Sequence, residues 1–137
     1  MKKNIIIVLG EPNSISSEIF LKSINYIKKT KSNFIIIGNY SLLKKQANYL
    51  NFKKNINFRL SKIDNLKKIK FNFINIDYKQ SKPFDIKTNK TDAFVKKCFE
   101  CAVLLLKKKL ASGLINLPIN KSKFTKNIYN GITEYIA

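Results

Sequence analysis

Apolar residues run along this chain in two alternating patterns: short continuous runs, and longer stretches where they recur every three or four positions. Residues 4–9 form a run of the kind found in strands buried on both faces, and it stops at Gly10-Glu11-Pro12, a turn that cannot continue a strand. Ser14, Ser16 or Ser17 then offers a cap for a helix reaching about Lys29, with Ile19, Phe20 and Ile24 on its core side and Ile27 continuing the stripe. The unit repeats. Residues 33–37 are apolar and end at Gly38, and residues 41–50 read as a short helix with Leu42, Leu43 and Leu50 inward and Lys44 and Lys45 outward.

Residues 56–60 alternate apolar and polar as a strand does, residues 64–69 suggest a helical turn, and residues 71–76 a further strand. Residues 77–88, with Pro83 and few aliphatics, form the longest loop-like stretch. The strongest helical pattern follows, from Lys90 to about Leu110, with Gly113 as its stop. Residues 114–117 then make a short buried strand, with Pro118-Ile119-Asn120-Lys121 as the loop at its carboxyl end.

Strands alternating with helices predict the α/β class: a mostly parallel sheet with helices on both faces. In such sheets ligands gather beyond the carboxyl ends of the strands, which directs attention to Gly10-Glu11-Pro12 and to residues 118–121. At 137 residues and 45% hydrophobic content the chain is long enough for one α/β region with a real core and short for a two-domain enzyme. Residues 131–137 read as the first turn of a helix capped by Thr133 or Asn130. One turn does not meet the nucleation cost of a helix, so the chain is expected to stop in mid-element.

Composition narrows the function classes. No apolar run approaches the roughly 18 residues of a membrane span, and the first apolar stretch lacks the length and cleavage site of a secretory signal, so a cytoplasmic protein is expected. The net charge of +19 raises nucleic-acid binding, but 26 of the 27 basic residues are Lys and only Arg59 is Arg. Base readout and bidentate phosphate contacts favour Arg, and these lysines are scattered through every segment, so no specific nucleic-acid partner is expected. Cys98 and Cys101 have C-x-x-C spacing, yet they share one helical stripe with Phe94 and Leu105. With no His and no second Cys pair, a tetrahedral zinc site lacks ligands, and small core residues are the better reading.

Two separated segments resemble the 4-hydroxythreonine-4-phosphate dehydrogenase family. The family's first strand runs into Gly-Asp-Pro-Ala-Gly-Ile-Gly-Pro-Glu, matched here by Gly10-Glu11-Pro12-Asn13-Ser14-Ile15-Ser16-Ser17-Glu18. A later strand runs into Thr-Ala-Pro-Ile-Asn-Lys and then Gly-His-Thr-Glu-x-Leu-Ala. The counterparts here are Asn116-Leu117-Pro118-Ile119-Asn120-Lys121 and Gly131-Ile132-Thr133-Glu134-Tyr135-Ile136-Ala137. The resemblance spans the chain and corresponds to about the amino-terminal two fifths of a family member.

It implies a truncated isocitrate/isopropylmalate dehydrogenase-like fold, in which residues 1–137 are the amino-terminal part of a two-domain homodimeric enzyme. The activity implied is NAD-dependent oxidation, with decarboxylation, of 4-phosphohydroxy-L-threonine in pyridoxine 5'-phosphate biosynthesis. The cofactors implied are NAD and a divalent metal whose family His ligands are absent from this chain. The implied partner is thus a small phosphorylated substrate. Carried over by position, Thr133 is a substrate contact or a plain helix cap, and Lys121, with Asn120 beside it, is either the positive charge for an anionic substrate or one more of 26 surface lysines.

Ile132 stands where the family has its substrate-contacting His, so that hydrogen bond and proton carrier are missing. Ser14, Ser16 and Ser17 replace Gly, Gly and Pro, which changes how closely a ligand can approach that turn. Glu11 keeps the acid of the family's Asp. No catalytic or cofactor-binding residue is assigned, and the shortened chain alone is expected to be inactive. The alternative is a noncatalytic remnant that binds a phosphorylated metabolite through Asn120, Lys121 and Thr133. Phosphate acetyltransferase-like chemistry is a weaker third reading.

Overall fold

A computed structural model describes residues 3–52, 57–85 and 91–117. Five strands, β1 (Asn4–Val8), β2 (Asn33–Gly38), β3 (Arg59–Ser61), β4 (Phe71–Asn75) and β5 (Gly113–Asn116), form one sheet in the order β3-β4-β2-β1-β5. Every described pairing is parallel. Helices α1 (Ser16–Lys28), α2 (Tyr40–Tyr49) and α3 (Thr91–Lys107) make the crossovers, and one 3-10 turn, Ile63–Asn65, lies between β3 and β4. This is the α/β class that the alternation of runs and periodic stretches predicts.

Strand alternation divides the core between the two faces. Ile6, Val8, Ile35, Ile37 and Ile74 point to one side, where α3 covers them with Phe94, Val95, Cys98, Phe99, Ala102 and Leu105. Ile7, Leu9, Phe34, Ile36, Phe71 and Phe73 point to the other, under Phe20, Leu21 and Ile24 of α1 and Leu43 of α2. Residues 35–37 are wholly buried because both faces of β2 are covered, which is why this strand reads as an unbroken Ile run.

Several boundaries and orientations differ from expectation. Ile19 of α1 is more than a third exposed, and Leu21 takes its place in the core. The buried positions Ser17, Phe20, Leu21 and Ile24 set the inward face one position away from the stripe that Ile19 suggests. The expected strand at 56–60 lies at Arg59–Ser61, and Ile56 is outside the described residues. The turn expected at 64–69 is shorter and earlier, ending as Leu66 becomes extended.

Gly113 does not stop α3; it is the first residue of β5. The stop is Lys109, in the left-handed conformation at φ 58°, with Leu110 N–H donating to the Leu105 carbonyl at 3.0 Å and closing a Schellman-type end. Leu50 caps α2 instead of lying within it, and is half-buried. Among the described residues no helix is long and apolar enough to cross a membrane.

Candidate functional site at the carboxyl edge of the sheet

The chain leaves β1 toward β2 through α1 on one face, whereas β5 lies on the opposite side of β1 and is reached through α3 on the other face. The space beyond the carboxyl ends of β1 and β5 is therefore the topological switch point, where ligands of open α/β sheets bind. It is flanked by Gly10-Glu11-Pro12 after β1 and by Leu117 after β5, whose N–H donates to the Val8 carbonyl at 3.0 Å.

The turn after β1 is built locally. Leu9 N–H still pairs with the Ile37 carbonyl at 3.0 Å, and Gly10 then takes φ 78°, a conformation that a side chain would strain. Ser14 closes the turn twice on the Glu11 carbonyl, through its N–H at 3.3 Å and its hydroxyl at 2.8 Å. The same hydroxyl accepts from Ser16 N–H at 3.1 Å, so Ser14 covers the first backbone donor of α1, while the N-cap residue itself is Ile15. Ser16 and Ser17 are buried inside the helix start. The Ser17 hydroxyl oxygen is buried without a hydrogen-bond partner and lines a cavity of about 20 Å³ shared with Gly10, Glu11 and Pro12. A space of that size accommodates about one water molecule.

Three side-chain amides hold this turn in place. Gln46, only 3% exposed, reaches from α2 and donates to the carbonyls of Pro12 at 2.6 Å and Pro83 at 2.9 Å. Asn13 and Gln80 form a reciprocal amide pair: Asn13 Nδ2 donates to Gln80 Oε1 at 3.1 Å, and Gln80 Nε2 to Asn13 Oδ1 at 2.8 Å. The Asn13 oxygen also accepts from Asp85 N–H at 2.8 Å, and Tyr78 donates its phenol hydrogen to Gln80 Oε1 at 2.7 Å. The loop after β4 is thereby fastened across the β1–α1 turn. A second junction is set by Asn39 at the end of β2, whose side-chain oxygen caps α2 at Leu42 N–H (2.9 Å) and whose nitrogen donates to the Ile76 carbonyl (2.9 Å).

Of the residues singled out from sequence, Asn120, Lys121, Ile132 and Thr133 all lie outside the described residues. Glu11 is placed in the turn and lines the small cavity beside Ser17. Cys98 and Cys101 lie on α3, facing the core opposite to α1; Cys98 is buried and Cys101 half-buried. Burial, reinforced by the neighbouring Cys101, pushes the Cys98 thiol far above its ordinary range, and burial pushes Cys101 up to about 11. Both remain neutral thiols at physiological pH, which suits core packing and not thiolate chemistry. Among the described residues no three His, Cys, Asp or Glu side chains converge, so these residues do not themselves make a metal centre.

Sequence reasoning missed Asn13, Gln46 and Gln80. Gln46 carried a usable signal, being four and three positions after Leu42 and Leu43 on the inward face of α2, where a polar residue requires a buried partner. Asn13 and Gln80 are 67 positions apart, and nothing local links them.

No family model matches the chain. A curated 4-hydroxythreonine-4-phosphate dehydrogenase of Sulfurihydrogenibium sp. (strain YO3AOP1) is 31% identical over 133 residues, covering 96% of this chain and 41% of that protein. The solved 4-hydroxythreonine-4-phosphate dehydrogenase from Burkholderia phymatum superposes on the whole chain with a TM-score of 0.82 at 16% identity, covering 43% of its own length. The one from Klebsiella pneumoniae superposes with a TM-score of 0.69 at 20% identity over 97% of this chain and 43% of its own. The relatives of this chain in sequence and in fold are thus 4-hydroxythreonine-4-phosphate dehydrogenases, and it spans about two fifths of their length.

Proposed function

We propose that this chain forms the first α/β part of an NAD-dependent 4-hydroxythreonine-4-phosphate dehydrogenase and contributes one wall of its substrate cleft. The observation that carries the reading is the match to a curated dehydrogenase of that name across nearly all of this chain. The switch-point crevice supports it, because Gly10-Glu11-Pro12 and the segment after Leu117 are the two stretches in which the family motifs fall.

The proposed reaction oxidises the secondary alcohol of 4-phosphohydroxy-L-threonine to a ketone, with hydride passing to NAD and a proton released. The resulting β-keto acid then loses carbon dioxide. Lys121 and Asn120 would hold an anionic group of the substrate, and Thr133 would add a hydroxyl donor. The described residues do not fit a metal site. The role of this chain is to bind and orient substrate, with the β1–α1 turn fixed by Asn13, Gln46 and Gln80. A homodimer in the cytoplasm is part of the same proposal.

Ile132 favours a second reading, in which the site binds a phosphorylated metabolite without turnover, since the residue in that place cannot hydrogen-bond or carry a proton. The two separate in one assay. The native polypeptide, isolated from its cells and given 4-phosphohydroxy-L-threonine, NAD and a divalent cation, is expected to produce NADH, and residues 1–137 alone are not. Substrate binding without NADH would establish the second reading, and turnover by residues 1–137 would refute the division of the site.

A further inference from the structure

A second opening lies on the same edge of the sheet, beyond β2 and β4. It is a cleft of about 310 Å³ between the start of α2 and the strand-free segment that follows β4. This volume is at the lower end of the roughly 300–1,000 Å³ range of small-molecule sites. Ser41 and Lys45 line it from α2, and Tyr78, Lys79, Gln80 and Ser81 from the opposite wall; among the described residues no carboxylate lines it.

The wall is fastened and not a free strap. Lys45 Nζ donates to the Gln80 carbonyl at 2.9 Å, and the Gln80 side chain is held by Asn13 and Tyr78. An ammonium has three donors, so Lys45 keeps two after this bond. At the start of α2 two of the backbone donors are already engaged, Leu42 N–H by Asn39 and Tyr40 N–H by Asn75 at 2.8 Å. Recognition therefore falls mainly to the side chains of the lining residues: Lys45 and Lys79 bring positive charge, Ser41 and Ser81 bring hydroxyls, and no described lining residue is acidic. Two cations without a carboxylate between them suit a dianion with several acceptor oxygens.

We propose that this cleft binds the phosphate group of a small molecule, with Lys45 and Lys79 supplying the charge and Ser41 a hydrogen bond. This site is separate from the β1–β5 crevice and does not depend on the dehydrogenase reading.

The test is a titration of the 137-residue chain with inorganic phosphate and with glycerol 3-phosphate at constant ionic strength, followed by backbone amide NMR, with sodium chloride as the control. Saturable shifts at Ser41, Lys45, Lys79, Gln80 and Ser81 are expected. Lys45→Gln and Lys79→Gln should each weaken binding about tenfold, the factor that corresponds to one lost charge-assisted hydrogen bond. Lys107→Gln, on α3, should leave it unchanged. Among the described residues the Lys79 side chain makes no hydrogen bond, unlike Lys45, so the effect of Lys79→Gln reads the site itself. Tighter binding of the ester assigns the cleft to phosphorylated metabolites, and equal binding assigns it to the free ion. Shifts spread over lysines on both faces, or shifts untouched by the two variants, would overturn the proposal.

Discussion

The two ends of the sheet are closed by different chemistry. At the amino end the strand ladder continues into the connecting turns, through Asn33 N–H to the Lys3 carbonyl (2.9 Å) and Ser112 N–H to the Asn4 carbonyl (2.9 Å). Two half-buried side chains reinforce it: Asn4 Nδ2 donates to the Leu110 carbonyl (3.0 Å), and Lys70 donates to the carbonyls of Thr30 (2.5 Å) and Ser32 (2.6 Å). At the carboxyl end the connections are longer and more side-chain amides join them: the half-buried pair Asn13 and Gln80, and the buried Gln46 to Pro12 and Pro83 and Asn39 to Ile76. An end closed by backbone has little room for a ligand. An end closed by side chains presents clefts whose walls are nonetheless fixed, which is what a binding edge requires.

Breaking one clamp at each end should show the difference, with the largest effect at Gln46. Gln46→Ala leaves the Pro12 carbonyl without its side-chain donor and Pro83 with only the longer bond from Gln80 (3.5 Å), and opens a void, so a loss of about 2–3 kcal/mol in urea unfolding is expected. Lys70→Ala should cost about 1 kcal/mol or less, because water can replace its bonds to Thr30 and Ser32. Equal losses would remove the contrast. Gly10→Ala sharpens it further: at φ 78° a methyl group should cost about 1–2 kcal/mol, while residues facing α3 keep their hydrogen-exchange protection.

A smaller, pH-dependent effect comes from the two thiols of α3, on the face of the sheet opposite to α1. In the unfolded chain a thiol ionises near its ordinary value of 9.0, whereas Cys101 in the fold is pushed up to about 11. Its contribution to stability is therefore fully present below pH 9 and is lost as pH rises through 11, because the unfolded state gives up the proton first. Cys98, more deeply buried, acts in the same direction. Denaturation midpoints measured on either side of pH 9 should fall for the natural chain, and less for Cys101→Ala.

The layers of the fold were legible because burial on both faces writes itself into local sequence. The Ile run of β2 and the recurrence of Phe94, Cys98 and Leu105 along α3 each follow from their own neighbours. The end of α3 was not legible: Lys109 adopts a left-handed conformation that its identity does not announce, and Gly113, the residue that suggests a stop, starts a strand. The carboxyl edge was half legible. The motif turn at 10–12 was placed correctly, but the amides that hold it are long-range pairs in a chain crowded with Asn and Lys, where one more amide carries no local signal. The four positions taken from the family motif, Asn120, Lys121, Ile132 and Thr133, lie outside the described residues.

The claim on which the functional account rests is that the carboxyl edge at the β1–β5 switch point is where substrate meets this chain. Amide shifts of residues 1–137 titrated with 4-phosphohydroxy-L-threonine test it directly. The predicted result is a set of shifts at Gly10, Glu11, Asn13 and Leu117, flanking the crevice, beyond those that inorganic phosphate alone produces around Ser41 and Lys79. Shifts confined to the amino end around Thr30, Ser32 and Lys70, or no shifts at millimolar ligand in a folded chain, would contradict it.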